Sequence, residues 1–185
     1  EDLVAAAEHL AENGQAPTLL IGHSLGGAAV LAAADRIKSV KGIATIGAPA
    51  DAEHVLHMFE DKIGDIERDG SAEVVLAGRK FRIGKSFIEA ARSTELTDKI
   101  AKLRASLLIL HSPLDNTVGI GNATKIFTAA KHPKSFVSLG EADHLLSKDE
   151  DATFAAEMIS AWASRLLPKE APEPATADQH EHVRV

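Results

Sequence analysis

A serine lies on a glycine-rich turn between a short apolar run and a helix-forming segment of small residues. The apolar run covers residues 18–21, and residues 22–26 have the pattern Gly-x-Ser-x-Gly with Ser24 at the centre. Residues 26–38 begin with two glycines and a run of alanine, valine and leucine, which is typical of a tightly packed helix. A strand that turns sharply into a helix strains the central residue by about 1–3 kcal/mol. The flanking elements favour this interpretation over a glycine-rich turn with an incidental serine.

The chain alternates short apolar runs with helical patterns. After residues 18–21, apolar runs cover residues 42–47, 105–110 and 135–139. Helical patterns cover residues 3–13, 26–38, about 94–104, 120–131 and about 149–167. Strands that alternate with helices are typical of a parallel sheet with right-handed crossovers. We therefore predict an α/β fold, and we expect Phe154 and Trp162 on the last helix to face its core.

Residues 50–104 interrupt this alternation. They contain an acidic helical pattern at about 51–66, and then two short alternating runs at 73–76 and 80–83. The Ala-Gly-Arg sequence between those runs indicates a hairpin, and a helical segment follows from Lys85. We predict that residues 50–104 form a small cap over the edge of the sheet.

The composition limits the classes of function. At 185 residues the chain is long enough for one domain with a sizeable core. Its net charge of −7 and the lack of a basic stripe argue against a nucleic-acid partner. No apolar run approaches the roughly 20 residues that a membrane span needs, and no signal peptide is recognisable, so we expect a cytoplasmic protein.

The sequence gives little indication of metal or thiol chemistry. The chain contains no cysteine, which excludes disulfides, zinc–thiolate sites and thiol redox chemistry within it. His54 and His57 are three residues apart on a predicted helix, but no third metal ligand is apparent. We therefore predict neither a metal nor a cofactor.

Polar loops follow the third and fourth predicted strands. Asp115 lies in the loop after residues 105–110, and His144 lies in the loop after residues 135–139. The carboxyl ends of parallel strands meet at one edge of the sheet, so both side chains are expected close to Ser24. A serine hydroxyl needs a base, and that base needs a third group to orient it. Asp143 is the alternative acid, but residues adjacent in sequence usually point in different directions, which favours Asp115.

Three motifs resemble the α/β-hydrolase superfamily, and the resemblance covers residues 1–167. They are Gly-His-Ser-Leu-Gly-Gly at 22–27, His-Ser-Pro-x-Asp-x-x-Val at 111–118 and Ala-Asp-His at 142–144. The resemblance implies that Ser24 is the nucleophile, His144 the general base and then acid, and Asp115 the orienting carboxylate. It also implies that the backbone N–H of Leu25 is an oxyanion-hole donor.

The activity that this resemblance implies is that of a serine hydrolase. It would cleave ester-like, thioester or amide bonds of a small acyl substrate without a cofactor or metal. In the superfamily the nucleophile follows the fifth strand, so the four apolar runs would be strands 5–8. Only residues 1–17 precede the first run. We therefore expect a partial fold without its N-terminal strands and second oxyanion donor, and a chain that is insoluble or inactive by itself.

A further resemblance concerns the domain organisation. Residues 47–55, 132–139 and 142–146 resemble bacterial two-domain proteins in which an α/β-hydrolase precedes an OsmC-type peroxide-reductase domain. It implies that residues 168–185 are a proline-rich linker and the start of a covalently fused downstream domain. Two alternatives follow: a non-catalytic hydrolase-fold module attached to the reductase, or a perhydrolase in which peroxide replaces water.

Overall fold

A computed structural model describes residues 1–51, 56–57, 59–76, 78–93 and 96–166. Its strands are β1 (Leu19–His23), β2 (Gly42–Ile46), β3 (Ser71–Leu76), β4 (Arg79–Gly84), β5 (Ser106–His111) and β6 (Lys134–Ser138). Its helices are α1 (Asp2–Glu12), α2 (Leu25–Ala33), α3 (Glu60–Asp69), α4 (Lys85–Ser93), α5 (Leu96–Ala101), α6 (Gly121–Ala129) and α7 (Asp149–Ala163). A short 3-10 turn, Ala34–Arg36, follows α2.

Four strands form one parallel sheet in the order β1-β2-β5-β6. Alternate residues of the two central strands point to opposite faces, and both faces are buried. Helices α2, α5 and α6 cover the face that contains Ile43, Leu107 and Ile109. Helix α7 covers the face that contains Ala44 and Leu108. Burial on both faces explains why these strands are continuous apolar runs, and the predicted α/β fold with a parallel sheet is confirmed.

Strand β1 is an edge of this sheet, and among the described strands it pairs only with β2. Ile21 in the middle of β1 is 52% exposed. An apolar groove of about 420 Å³ runs beside β1 and is lined by Leu19, Ile21, Ile46 and residues of α7. The sheet therefore presents an apolar edge directly before Ser24.

The segment between β2 and β5 contains the predicted hairpin. Strands β3 and β4 pair antiparallel, with Ser71 opposite Gly84 at one end and Leu76 opposite Arg79 at the other, and this prediction is confirmed. Helix α3 lies closer to the C-terminus than the predicted 51–66; it ends where Gly70 adopts a left-handed φ of +82°. A separate hydrophobic cluster fills this segment, and its buried members are Phe59, Ile66, Val74, Ile83 and Ile88.

The last helix differs from the prediction at one aromatic residue. Helix α7 buries a stripe of Ala155, Ile159 and Ala163. Trp162 packs against the same cluster, whereas Phe154 is 41% exposed, so the prediction for Phe154 was wrong. The reason is geometric, because Phe154 precedes Ala155 by one residue and lies about 100° away from the buried stripe.

The predicted linker and the start of a downstream domain, residues 168–185, lie outside the described residues. Among the helices that the structure describes, none has the length and apolar character that crossing a membrane requires.

Candidate active site

Ser24 occupies a strained turn between β1 and α2. Its backbone has φ 53° and ψ −125°, and its N–H donates to the Ile46 carbonyl at 2.8 Å. A Cβ atom at Gly22 would overlap the Gly26 carbonyl, and one at Gly27 would lie 2.5 Å from the Ala48 Cβ atom. The glycines therefore allow the close approach of strand and helix that fixes this turn, and a non-glycine residue at positive φ is a mark of functional strain.

The structure brings Ser24, His144 and Asp115 into one hydrogen-bonded chain. The Ser24 hydroxyl lies 2.9 Å from His144 Nε2, and His144 Nδ1 lies 2.7 Å from Asp115 Oδ2. Asp115 and His144 are 5% and 8% exposed, whereas Ser24 is half-buried. Because a carboxylate only accepts, the imidazole proton is on Nδ1, which leaves Nε2 free to accept from the serine hydroxyl.

Two backbone groups hold the second oxygen of Asp115. Oδ1 accepts the N–H of Thr117 at 2.9 Å and the N–H of Val118 at 2.8 Å. Burial by itself would raise the pKa of the Asp115 carboxyl. The hydrogen bonds from His144, Val118 and Thr117 outweigh it, so the pKa lies below its usual value. Asp115 is therefore ionised when His144 needs an acceptor.

Asp143, the alternative acid, is engaged in its own loop. Its Oδ1 accepts the backbone N–H groups of Leu145 and Ser147, each at 3.0 Å. Hydrogen bonds from Ser147 lower the pKa of this exposed carboxyl. Asp143 thus shapes the loop that presents His144, whereas Asp115 contacts the imidazole.

His23, the residue before the serine, also contacts this group. Its Nε2 donates to the His144 carbonyl at 2.6 Å, and the two imidazole rings are 5.0 Å apart between centroids. His23 therefore links the end of β1 to the backbone of the His144 loop.

The first turn of α2 offers backbone donors beside Ser24. The N–H groups of Gly27 and Ala28 donate to the Ser24 carbonyl, at 2.9 and 3.4 Å. The preceding N–H groups, those of Leu25 and Gly26, have no acceptor within the helix because they open it. A helix N-terminus attracts negative charge, so the predicted oxyanion donor, Leu25, lies where an anion next to Ser24 would be stabilised. The Leu25 side chain packs against the hydrophobic cluster between β2 and β5.

Gly47 is a site residue that the sequence analysis missed. It follows β2 with φ +54°, and its N–H donates to the Leu110 carbonyl at 2.9 Å. A Cβ atom there would lie 3.1 Å from Asp115 Oδ2 and 3.3 Å from His144 Nδ1. The glycine therefore leaves room for the Asp115–His144 hydrogen bond, and its only sequence signal is its place at the end of a predicted strand.

We expect Gly47→Ala to lower kcat by about 10²-fold, because a methyl group would push apart the two atoms that hold the imidazole. Backbone strain at positive φ also destabilises the fold by about 1–2 kcal/mol. Gly14→Ala is the control, since Gly14 has φ +75° but no heavy atom within 4 Å of an added Cβ. Steady-state kinetics and thermal unfolding of both variants measure the two effects. Equal kcat values for both variants would contradict the contact argument.

The described residues contain no group of three or more His, Cys, Asp or Glu side chains that could hold a metal ion. His57 pairs with Glu60 at 3.2 Å. His54, its partner in the considered metal pair, lies outside the described residues.

Comparisons with known proteins identify the family. No family model and no curated protein matches the chain. The esterase domain of a Rhodothermus marinus protein is 50% identical over 89% of this chain and 68% of that one, with a TM-score of 0.79. The alignment with mouse alpha/beta hydrolase domain-containing protein 10 (24% identity, TM-score 0.61) covers 82% of this chain and 63% of the mouse chain. The alignment with Est1E from Butyrivibrio proteoclasticus (15% identity, TM-score 0.63) covers 88% of this chain and 67% of the Est1E chain.

The chain belongs to the α/β-hydrolase family, which confirms the predicted superfamily. It spans about two thirds of the length of each of these three structures. The link to OsmC-type two-domain proteins stays a prediction.

Proposed function

We propose that this α/β-hydrolase is a serine hydrolase that cleaves ester-like bonds of small molecules through an acyl-enzyme. The observation that most supports the proposal is the chain of hydrogen bonds from Ser24 through His144 to Asp115. The strained backbone of Ser24 and the helix N-terminus at Leu25 add independent support.

In the first half of the proposed reaction, Ser24 Oγ attacks the carbonyl carbon while its proton moves to His144 Nε2. The carbonyl oxygen becomes an oxyanion, which the Leu25 N–H stabilises. Asp115 stabilises the imidazolium and keeps its Nδ1 proton in place. His144 then gives its Nε2 proton to the leaving oxygen as the bond to the acyl carbon breaks, which leaves an ester on Ser24.

In the second half, water attacks this ester and gives a proton to His144 Nε2. The tetrahedral intermediate collapses, the carboxylic acid product leaves, and His144 returns the proton to Ser24 Oγ. The cycle needs no cofactor or metal, because the base, the nucleophile and the charge stabilisation all come from the protein.

The relatives support the choice of an ester as substrate. The structure with 50% identity is an esterase domain, and Est1E has been solved with ferulic acid bound. The similarity to the esterase domain is our reason for proposing an ester substrate for this chain. The proposal does not specify the acyl group of that ester.

A fluorophosphonate probe tests the proposal in the full-length protein. We expect one phosphonyl group per chain, localised by mass spectrometry to the peptide that contains Ser24. Ser86→Ala, which removes an exposed hydroxyl at the start of α4, should be labelled at the same rate as the unaltered protein. A folded protein that stays unlabelled would instead indicate a non-catalytic module, and labelling at another residue would contradict the assignment of Ser24 as the nucleophile.

A further inference from the structure

A third histidine, after His144 and His23, lies beside the Asp115–His144 pair and has no part in the proposed reaction. His111 is the last residue of β5 and is fully buried. Its Nε2 lies 2.7 Å from the Val118 carbonyl. Because a carbonyl only accepts, the ring donates its Nε2–H to Val118. His111 therefore ties the end of β5 to the far end of the loop that contains Asp115.

Val118 connects the His111 hydrogen bond to the Asp115 carboxylate. Its carbonyl accepts from His111, while its N–H donates to Asp115 Oδ1 at 2.8 Å. Val118 is itself fully buried, so no water replaces a lost partner of its backbone groups. The carbonyl and the N–H belong to adjacent peptide units joined at the Val118 Cα atom, so the two hydrogen bonds together hold this residue between the end of β5 and the carboxylate.

The His111 donor also faces the reactive side of the carboxylate. Its Nε2 lies 3.7 Å from Asp115 Oδ2, the oxygen that accepts the His144 proton. This distance is too long for a hydrogen bond, but in a buried site it places the positive end of an N–H dipole near the negative charge. Both contacts keep Oδ2 pointing towards His144.

A packing role alone does not explain a histidine at this position. The His111 Nδ1 atom is buried and has no hydrogen-bond partner among the described residues. Burying a polar atom without a partner costs about 1–3 kcal/mol, and an apolar side chain of similar size would avoid that cost. The function of the ring therefore lies in its other nitrogen, the donor to Val118.

We propose that His111 is a positioning residue that holds Asp115, through the Val118 backbone, in the orientation that fixes the His144 imidazole. The inference rests on the proposed function for its kinetic consequence, but its structural content concerns only the Asp115–His144 hydrogen bond. Loss of the His111 donor lets the carboxylate turn away, and the imidazole loses its fixed Nδ1 proton.

The test compares His111→Gln with His111→Leu in the full-length protein. The Gln amide nitrogen extends to nearly the same place as His Nε2 and keeps a donor for Val118, whereas Leu fills the space without one. We expect His111→Leu to lower kcat by about 10²-fold with little change in KM, since misplacement acts on the transition state. His111→Gln should recover most of that loss. Equal losses in the two variants would overturn the proposal.

A proton NMR measurement separates positioning from general stability. The hydrogen-bonded Nδ1 proton of His144 is expected as a downfield resonance in the unaltered protein, retained in His111→Gln and shifted or broadened in His111→Leu. An unchanged resonance in His111→Leu would overturn the proposal. This readout needs no turnover, so it remains decisive if the protein proves not to be labelled by the fluorophosphonate.

Two further variants complete the design. Should His111→Leu not fold, His111→Asn takes its place, because the shorter amide matches Nδ1 and does not reach the Val118 carbonyl. Thr45→Val removes a different buried polar group, a hydroxyl on the neighbouring strand β2 that also has no partner among the described residues. Thr45→Val should leave kcat and the His144 resonance unchanged. A change equal to that of His111→Leu would indicate a general effect of buried polar groups and would overturn the specific role.

Discussion

Ser24→Ala is expected to lower kcat for ester hydrolysis by about 10⁶-fold, the loss observed when a hydrolytic serine is removed from subtilisin. The reason is that Oγ forms the bond to the acyl carbon in the proposed reaction, and no other described hydroxyl lies against His144 Nε2. Any remaining rate would come from binding and from the oxyanion donor alone. Steady-state kinetics with a chromogenic ester, together with fluorophosphonate labelling, measure the loss.

The fold should survive this change, because Ala accepts the same backbone angles as Ser about equally well. Ser39→Ala is the matched control. The Ser39 hydroxyl donates to the Pro17 carbonyl at 2.7 Å, near the opposite end of the strands, so its removal costs one hydrogen bond away from the site. We expect Ser39→Ala to keep full kcat with a slightly lower Tm. A Ser24→Ala protein that retains turnover would show that another residue is the nucleophile.

Asp115→Asn is expected to lower kcat by about 10⁴-fold, the effect of the corresponding change in a serine protease. The backbone N–H groups of Thr117 and Val118 require an oxygen at the Oδ1 position. The amide NH₂ of Asn would therefore face His144 Nδ1 and force its proton onto Nε2. In that tautomer the imidazole cannot accept the Ser24 proton.

Asp143→Asn is the matched control for this substitution. It changes the adjacent acidic residue, whose Oδ1 binds the backbone of its own loop, and an Asn oxygen satisfies the same N–H groups. We expect Asp143→Asn to keep kcat within about tenfold of the unaltered protein, which is far less than a wrong tautomer costs. If Asp143→Asn shows the larger loss, the roles of the two carboxylates are reversed.

The stability that the Asp115 carboxylate adds to the unaltered protein should depend on pH in a defined direction. The folded-state pKa of Asp115 lies below its unfolded value of about 3.9, so the ionised carboxylate stabilises the fold above that pH. The contribution is lost as the pH falls through the lowered folded-state pKa. Urea unfolding of both proteins should therefore show a constant difference in unfolding free energy above about pH 5 that narrows below pH 4. A difference that widens on acidification would contradict the lowered pKa.

The helices and strands of the main sheet were predictable because their signals are local. The apolar runs at β2 and β5 are buried on both faces, which makes them continuous and easy to recognise. The position of α3 was less predictable, because the left-handed Gly70 and not the acidic pattern decides where it ends. Phe154 also shows that a local pattern does not decide which side chains are buried. Its hydrophobicity suggested the core, but the packing of Ala155 and Ile159 on the sheet turned it to solvent.

Some residues of the candidate site could likewise be predicted from the sequence, and others could not. Ser24, Asp115 and His144 could be named from the sequence because each follows a recognisable strand and has the chemistry its role requires. Gly47 could not be named as a site residue, and His111 could be named only as a residue that shapes the loop before Asp115, because their contacts depend on the folded geometry. Gly47 matters for the atoms that its missing side chain leaves room for, and His111 for its bond to a backbone carbonyl seven residues away.

The sequence by itself therefore determined the class of fold and the strained serine turn, and it was enough to propose an order of nucleophile, acid and base. Those features follow from backbone preferences and from the rule that parallel strands end at one edge. Only the tertiary structure decided how the three residues meet. It showed Asp115 and not Asp143 against the imidazole, a glycine making space for their bond, and a buried histidine behind the Asp115 loop. The contacts of His144 with Asp115 and Ser24 join residues that are 29 and 120 positions apart in the chain, and no local pattern records them.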